Sequence, residues 1–84
     1  MDLIAKKLLF RAWHRGTREM DILMGQFAEE MLPSMKEEDL LYFGQLLDHS
    51  DPDLYDWLSG RKSAEGVEPQ HLLQLLKARY VRSD

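Results

Sequence analysis

The residue types best suited to chemistry cluster in the stretch HRGTREMD, at positions 14–21 of the 84-residue sequence. Arg15 and Arg18 carry guanidinium donors, Glu19 and Asp21 carry carboxylate acceptors, and one glycine lies between the two arginines. Guanidinium and carboxylate groups form strong, charge-assisted contacts with protein partners. A glycine that ends one helix and an acid that begins the next would explain part of this pattern. The remaining charges exceed what a helix junction requires. Two interpretations are therefore possible: a capped helix junction, or a surface corner at Arg15, Arg18, Glu19 and Asp21 that binds a partner.

The sequence offers little support for catalysis or metal binding. His14, His49 and His71 are scattered over three segments, and none has a partner at metal-ligand spacing. The chain has no cysteine and its glycines are isolated, so a cysteine nucleophile and a glycine-rich phosphate loop are both excluded. Neighbouring acids such as Glu29 and Glu30 point to different helix faces. We therefore predict no catalytic residue and no metal site, and a binding protein instead of an enzyme.

Apolar residues recur at helical spacing in every long segment, and no segment alternates as a strand would. The first helix is predicted from Ile4, Leu8, Leu9, Ala12 and Trp13. The second has a core face of Met20, Leu23, Met24, Phe27 and Met31, opposite Arg18, Ile22, Gln26 and Glu29 with Gly25 alongside. The later helices carry Leu40, Leu41, Phe43, Leu46 and Leu47, then Leu54, Trp57 and Leu58, then Leu72, Leu73, Leu75, Leu76 and Tyr80. These patterns predict an all-α fold, a five-helix bundle with two short helices, in a single domain over residues 1–84.

Capping residues, glycines and prolines predict the helix boundaries. The predicted starts are Thr17 for the second helix, a capping box of Ser34 and Glu37 or a later start at Lys36 for the third, Asp51 for the fourth, and Glu68-Pro69 for the last. The predicted ends are Gly16, Leu32-Pro33 and Gly60, with a polar loop over residues 61–67.

Charge is distributed unevenly along the chain. Residues 1–18 carry five Lys/Arg against one acid, giving +4, whereas residues 19–84 carry six against fourteen, giving −8. An acidic body argues against a general nucleic-acid binder, which normally presents a broad basic face. The basic first helix nevertheless leaves an alternative function, a small helical nucleic-acid-binding regulator. No apolar run approaches the roughly 20 residues that span a bilayer, so no membrane insertion is expected.

Two motifs resemble those of a known protein family. Residues 15–19, RGTRE, match the RGxxE motif of the small succinate dehydrogenase assembly factors, and Met20 and Asp21 continue it as in that family. Residues 51–58, DPDLYDWL, resemble the family's second signature, DPDLF/Y-x-WL. The motif separation, the chain length and the helix order agree as well, so the resemblance covers nearly the whole chain.

The resemblance implies a function in flavoprotein assembly. Members of this family are five-helix bundles that bind the flavoprotein subunit of succinate dehydrogenase, and in some bacteria that of fumarate reductase. They promote covalent attachment of FAD to a histidine of that subunit. FAD then belongs to the client, and the chain itself is expected to bind no cofactor stably, to act as a chaperone and to be a monomer when free. The lack of an N-terminal import extension favours the bacterial cytoplasm.

The resemblance also implies which residues bind the partner. Carried over by motif, these are Arg15, Gly16 and Glu19, with Asp21 as a contributor. Arg11, Arg18 and Ile22 border the motif and complete the predicted partner-binding set. The DPDLYDWL stretch is interpreted mainly as structural, because its proline and acids suit a helix start and its tryptophan suits an anchor.

Overall fold

Five α-helices follow one another in the computed structural model, which describes residues 2–82. They are α1 (Leu3–Trp13), α2 (Arg18–Met31), α3 (Glu37–Asp48), α4 (Asp51–Ser59) and α5 (Gln70–Arg82), with a short 3₁₀ helix (Leu32–Ser34) between α2 and α3. No strand occurs in this part of the chain. The predicted all-α, five-helix fold is confirmed, and Met1, Ser83 and Asp84 of the predicted domain lie outside the described residues.

Side-chain caps explain why several helices begin where they do. The hydroxyl oxygen of Thr17 accepts the Met20 N–H at 3.3 Å, which confirms Thr17 as the N-cap of α2. The cap of α4 is Ser50, whose Oγ accepts the Asp53 N–H at 3.2 Å. The prediction of Asp51 for that position was wrong by one residue, because its carboxylate contacts an arginine elsewhere in the chain. Gly60 ends α4 with φ +83°, as predicted.

The start of α3 differs from the first of the two predicted starts. Ser34 belongs to the 3₁₀ helix, where its hydroxyl donates to the Met31 carbonyl at 3.2 Å, so it forms no capping box with Glu37. The N-cap is Lys36, and its N–H donates to the Asp39 carboxylate at 3.2 Å. The later of the two predicted starts is therefore correct.

Apolar faces of all five helices form one continuous core. Helix α1 packs against α2 and α3, while α5 packs against α3 and α4. Phe27 of α2 and Phe43 of α3 stack with ring centroids 5.9 Å apart at the centre of the bundle. This core anchors the α1–α2 and α3–α4 junctions, which carry the two sequence motifs.

Some predicted helix faces were rotated relative to those in the structure. In α1 the buried stripe is Ala5, Leu8 and Ala12, whereas Ile4 is exposed. Leu75, predicted on the apolar side of α5, is also exposed. Gly25 is buried instead of lying near the polar face of α2, because the Trp13 indole packs directly over it. A broad apolar arc allows a helix to turn by about one residue, and tertiary packing decides the angle.

No helix within residues 2–82 combines the length and the apolar character needed to cross a membrane.

Candidate partner-binding site

The glycine of the RGTRE motif lies in the short connection between α1 and α2. Gly16 has φ +126°, a conformation that residues with a Cβ adopt only under strain. A Cβ at this position would meet no atom within 4 Å, so the backbone conformation and not crowding requires the glycine. The result is an exposed stretch of main chain that bears no side chain.

Asp21, in the first turn of α2, stabilises this connection through hydrogen bonds to its backbone. Its Oδ1 accepts the backbone N–H groups of Arg15 and of Gly16, the latter at 3.1 Å. Two main-chain donors that the α1–α2 connection leaves outside a helix are therefore satisfied by one half-buried carboxylate. Asp21 fixes the path of the chain on either side of the glycine.

Arg15 links the α1–α2 connection to the α3–α4 junction. Its Nε donates to the Asp51 carboxylate at 2.9 Å, while Nη1 and Nη2 donate to the carbonyls of Leu47 and His49, each at 2.5 Å. The Arg15 side chain is only 9% exposed and that of Asp51 17%. A cation at the end of α3 also meets helix carbonyls that lack partners within the helix. The two sequence motifs therefore form one unit, joined through Arg15 and Asp51.

Glu19 and Arg18 differ from Arg15 because they project from the surface. Both are exposed, and neither side chain forms a hydrogen bond or ion pair with any described residue. Ile22 lies one turn along α2 from Glu19 and is exposed as well. These three side chains are free to contact a partner.

Arg11 lies at the edge of the corner, in the last turn of α1. It pairs with Asp48 of α3 at 2.9 Å, in a contact open to water, with side-chain exposures of 46% and 70%. His14 shares a hydrogen bond of 2.7 Å with the Phe10 carbonyl and stacks on the Phe10 ring with centroids 3.9 Å apart. The other six predicted residues all lie on the α1–α2 connection or in the first turns of α2, and Arg11 lies at the margin of this corner. The six are Arg15, Gly16, Arg18, Glu19, Asp21 and Ile22.

A groove beside Glu19 includes a residue that the sequence alone did not single out. Tyr55 of α4 is exposed and lines the groove together with Glu19 and Ile22. It belongs to the DPDLYDWL motif, which was predicted to be mainly structural. Its position next to buried Leu54 places it on the outer face of α4, and that spacing could have indicated a surface role.

The site offers binding groups and no evident means of holding a metal. Within residues 2–82 no group of three or more histidine and acidic side chains is arranged to coordinate an ion. The corner presents an exposed carboxylate, an exposed guanidinium, an apolar side chain and bare main chain. Such groups recognise a protein surface through charge-assisted hydrogen bonds and apolar contact.

Comparisons with known proteins identify the family. A family model described as the flavinator of succinate dehydrogenase matches residues 6–80. The chain is 37% identical over 75 residues to the FAD assembly factor SdhE of Coxiella burnetii, covering 89% of this chain and 90% of that protein. It is 38% identical over 80 residues to the mitochondrial succinate dehydrogenase assembly factor 2 of Caenorhabditis elegans, covering 92% of this chain and 67% of that protein.

A shorter and more similar match is to the FAD assembly factor SdhE of Acetobacter pasteurianus. It is 48% identical over 56 residues, and the match spans 67% of this chain and 51% of that protein. No solved structure matches the chain significantly. The family match covers both motifs and includes most or all of each of the five helices, and the chain therefore belongs to the family of the flavinator of succinate dehydrogenase.

Proposed function

We propose that the chain is an assembly factor that binds the flavoprotein subunit of succinate dehydrogenase and promotes covalent attachment of FAD to it. The observation that carries the proposal is the structure of the corner. Gly16 and Glu19 are exposed there, and hydrogen bonds of Arg15 and Asp21 within the chain fix the α1–α2 connection that positions them. Membership of the flavinator family supports the same function.

Within the corner we assign the predicted residues to two roles. Gly16, Arg18, Glu19 and Ile22 are exposed and would contact the client directly. Arg15 and Asp21 have their polar atoms engaged within the chain, and they would act by fixing the position of the others.

Arg11 is assigned a lesser role at the margin of the interface. Its guanidinium is nearly half exposed beside Asp48, so it can exchange that contact for one with the client at little cost. We expect its removal to slow association more than it accelerates dissociation, as is usual for charges at an interface rim.

The chain would promote flavin attachment through binding and not as an enzyme. A bound protein shifts a conformational equilibrium only to the extent that it binds one state more tightly than another. We propose that the corner binds the client conformation in which its reactive histidine and its flavin lie in the orientation for bond formation. Holding two groups in reactive geometry is by itself a large rate effect.

The direct test is covalent flavin on the client. Purified apo flavoprotein subunit of succinate dehydrogenase is incubated with FAD, with and without the chain, then denatured and examined for flavin fluorescence in the protein band. We expect the chain to increase the signal, and Gly16→Arg and Glu19→Ala to abolish the increase with helical content retained by circular dichroism. Gly60→Arg is the matched control, because Gly60 also has positive φ and open space around it. Absence of both an increase and a complex would overturn the proposal.

The flavoprotein of fumarate reductase is a second client that we propose for the same assay. We further propose that the free chain is a monomer in the bacterial cytoplasm, in keeping with the bacterial assembly factors among its relatives. Sedimentation at several concentrations checks the monomer, which would show no change in mass.

A further inference from the structure

The groove beside Glu19 is formed by α2, α4 and α5 and has a volume of about 320 Å³. Buried Met20 and Leu23 line it together with Ile22 of α2 and Tyr55 of α4, whose side chains are 40% and 42% exposed. An exposed isoleucine and an exposed tyrosine ring that border the same groove as buried apolar residues can enclose an apolar side chain from another protein.

The groove has an unpaired carboxylate at one end and an arginine whose charge is already neutralised by an ion pair at the other. Arg79 lines the far end, where its Nη1 donates to Glu30 at 2.5 Å and its Nη2 to the Gln26 side chain at 3.4 Å. Glu19 at the near end pairs with no described residue. Its neighbour Arg18 lies roughly 100° further around the helix; it does not line this groove but borders an adjoining depression that Glu19 and Tyr55 also line. The carboxylate of Glu19 is therefore the uncompensated charge of the groove.

We propose that this groove receives a segment of the client flavoprotein that places an apolar side chain between Ile22 and Tyr55 and a lysine or arginine against Glu19. The inference rests on the proposed function, since it takes the client from there. Charge complementarity supports the cation, because an exposed, unpaired carboxylate at the mouth of an apolar groove favours a basic partner. A second copy of this chain fits less well, since each copy carries a net charge of −4 and two copies repel one another.

The apolar part of the proposal is tested with matched charge insertions. Isothermal titration calorimetry measures binding of the purified apo flavoprotein subunit of succinate dehydrogenase to the wild-type chain, to Ile22→Asp and to Leu41→Asp. Leu41 is 69% exposed and lines a separate groove between α1 and α3. We expect Ile22→Asp to weaken binding by at least about tenfold and Leu41→Asp by less than about twofold. Ile22→Ala and Leu41→Ala form a second pair if an aspartate variant does not fold.

The cationic part is tested by the dependence of affinity on ionic strength. The wild-type dissociation constant should rise with added salt, because salt screens the ion pair at the groove mouth. Glu19→Gln keeps the shape of the side chain and removes its charge, so its binding should be weaker and less sensitive to salt. An unchanged salt dependence would overturn the assignment of a basic partner residue.

The outcomes separate this inference from the proposed function. If the wild-type chain neither binds the apo flavoprotein nor increases its flavinylation, the proposed function fails. If it does both, but Ile22→Asp binds as tightly as Leu41→Asp, the function stands and the groove is not the docking site. If sedimentation instead shows a dimer of the chain that Ile22→Asp abolishes, the occupant is a second copy and the inference is wrong.

Discussion

Arg15 and Arg11 both pair with aspartates near the α3–α4 junction, but only the Arg15 pair is sheltered from water. Replacing Arg15 with alanine would leave Asp51 and the carbonyls of Leu47 and His49 without their partner. Losing hydrogen bonds to a charged group in a mostly buried site costs about 2–4 kcal/mol. We expect Arg15→Ala to lower the free energy of unfolding by that amount, measured by urea denaturation monitored by circular dichroism.

Arg11→Ala is the matched control, because its partner Asp48 is exposed and solvated. Its cost should stay below about 1 kcal/mol. A double-mutant cycle of Arg15→Ala and Asp51→Asn should show strong coupling, since the two groups share one contact. Equal costs for Arg11→Ala and Arg15→Ala would contradict the structural role given to Arg15.

Gly16 supports a second prediction at the scale of single residues. Both Gly16 and Gly60 have positive φ with open space around them, so alanine at either position strains the backbone by about 1–3 kcal/mol. We expect similar losses of thermal stability for Gly16→Ala and Gly60→Ala, but a weaker affinity for the client flavoprotein for Gly16→Ala alone. Calorimetric titration of both variants checks this. Equal binding by the two variants would mean that the client does not approach the backbone at Gly16.

The sequence indicated which residues form the corner, but not which of them form contacts within the chain and which are exposed to a partner. Charge crowding and the motif pointed to Arg15, Glu19 and Asp21 alike. The contact between Arg15 and Asp51 joins residues 36 positions apart, and no local spacing encodes such a pairing. Asp21 likewise could be taken for a first-turn acid, whereas its carboxylate reaches back to the preceding connection. Tertiary contacts determined which charges became internal and which stayed exposed.

At the scale of helices, two glycines in helix interiors test how α1 packs against its neighbours. A Cβ on Gly25 of α2 would overlap the indole ring of Trp13, whereas one on Gly44 of α3 would only touch Leu8 Cδ2 at 3.8 Å. Gly25→Ala should destabilise by about 1–3 kcal/mol through overpacking. Gly44→Ala should stabilise by about 0.5–1 kcal/mol, since alanine suits a helix interior better than glycine.

Thermal unfolding of the two variants checks the prediction in one experiment. A change of 1 kcal/mol shifts the midpoint by about 4–8 °C in a domain of this size, so the two glycine variants should move in opposite directions. Stabilisation by Gly25→Ala would show that Trp13 does not pack over α2 in solution.

Helix identity was predictable from sequence, but helix ends and rotation were less so. Long apolar periodicity gave all five helices, and Thr17 and Gly60 marked boundaries correctly because each acts through its own backbone neighbours. Ser50 took the cap position predicted for Asp51, since the long-range contact with Arg15 engages that carboxylate. Ile4 proved exposed because the packing of α1 favours the face of Ala5. Such outcomes depend on contacts between helices, which a single helical pattern does not contain.

Over the whole molecule, the uneven distribution of charge along the sequence produces ion pairs that link the basic first segment to the acidic remainder. Of the five cations in residues 1–18, Arg11 and Arg15 pair with Asp48 and Asp51 at the α3–α4 junction. The basic segment is thus docked against the acidic body, and part of its charge is neutralised there. Lys6, Lys7 and Arg18 remain exposed without an ion pair among the described residues.

This arrangement yields a prediction for the nucleic-acid alternative. The three unpaired cations of residues 1–18, on a chain of net charge −4, can neutralise few phosphates, so the slope of log affinity against log salt for binding through this segment should not exceed roughly 3 in magnitude. Affinity for a duplex should be weaker than about 10⁻⁴ M at physiological salt, and fluorescence anisotropy with a labelled duplex measures both. The double variant Lys6→Glu, Lys7→Glu should weaken this already low affinity and flatten its salt dependence, while leaving client flavinylation unchanged. Micromolar DNA binding that this variant abolishes would instead identify the basic first helix as a nucleic-acid surface.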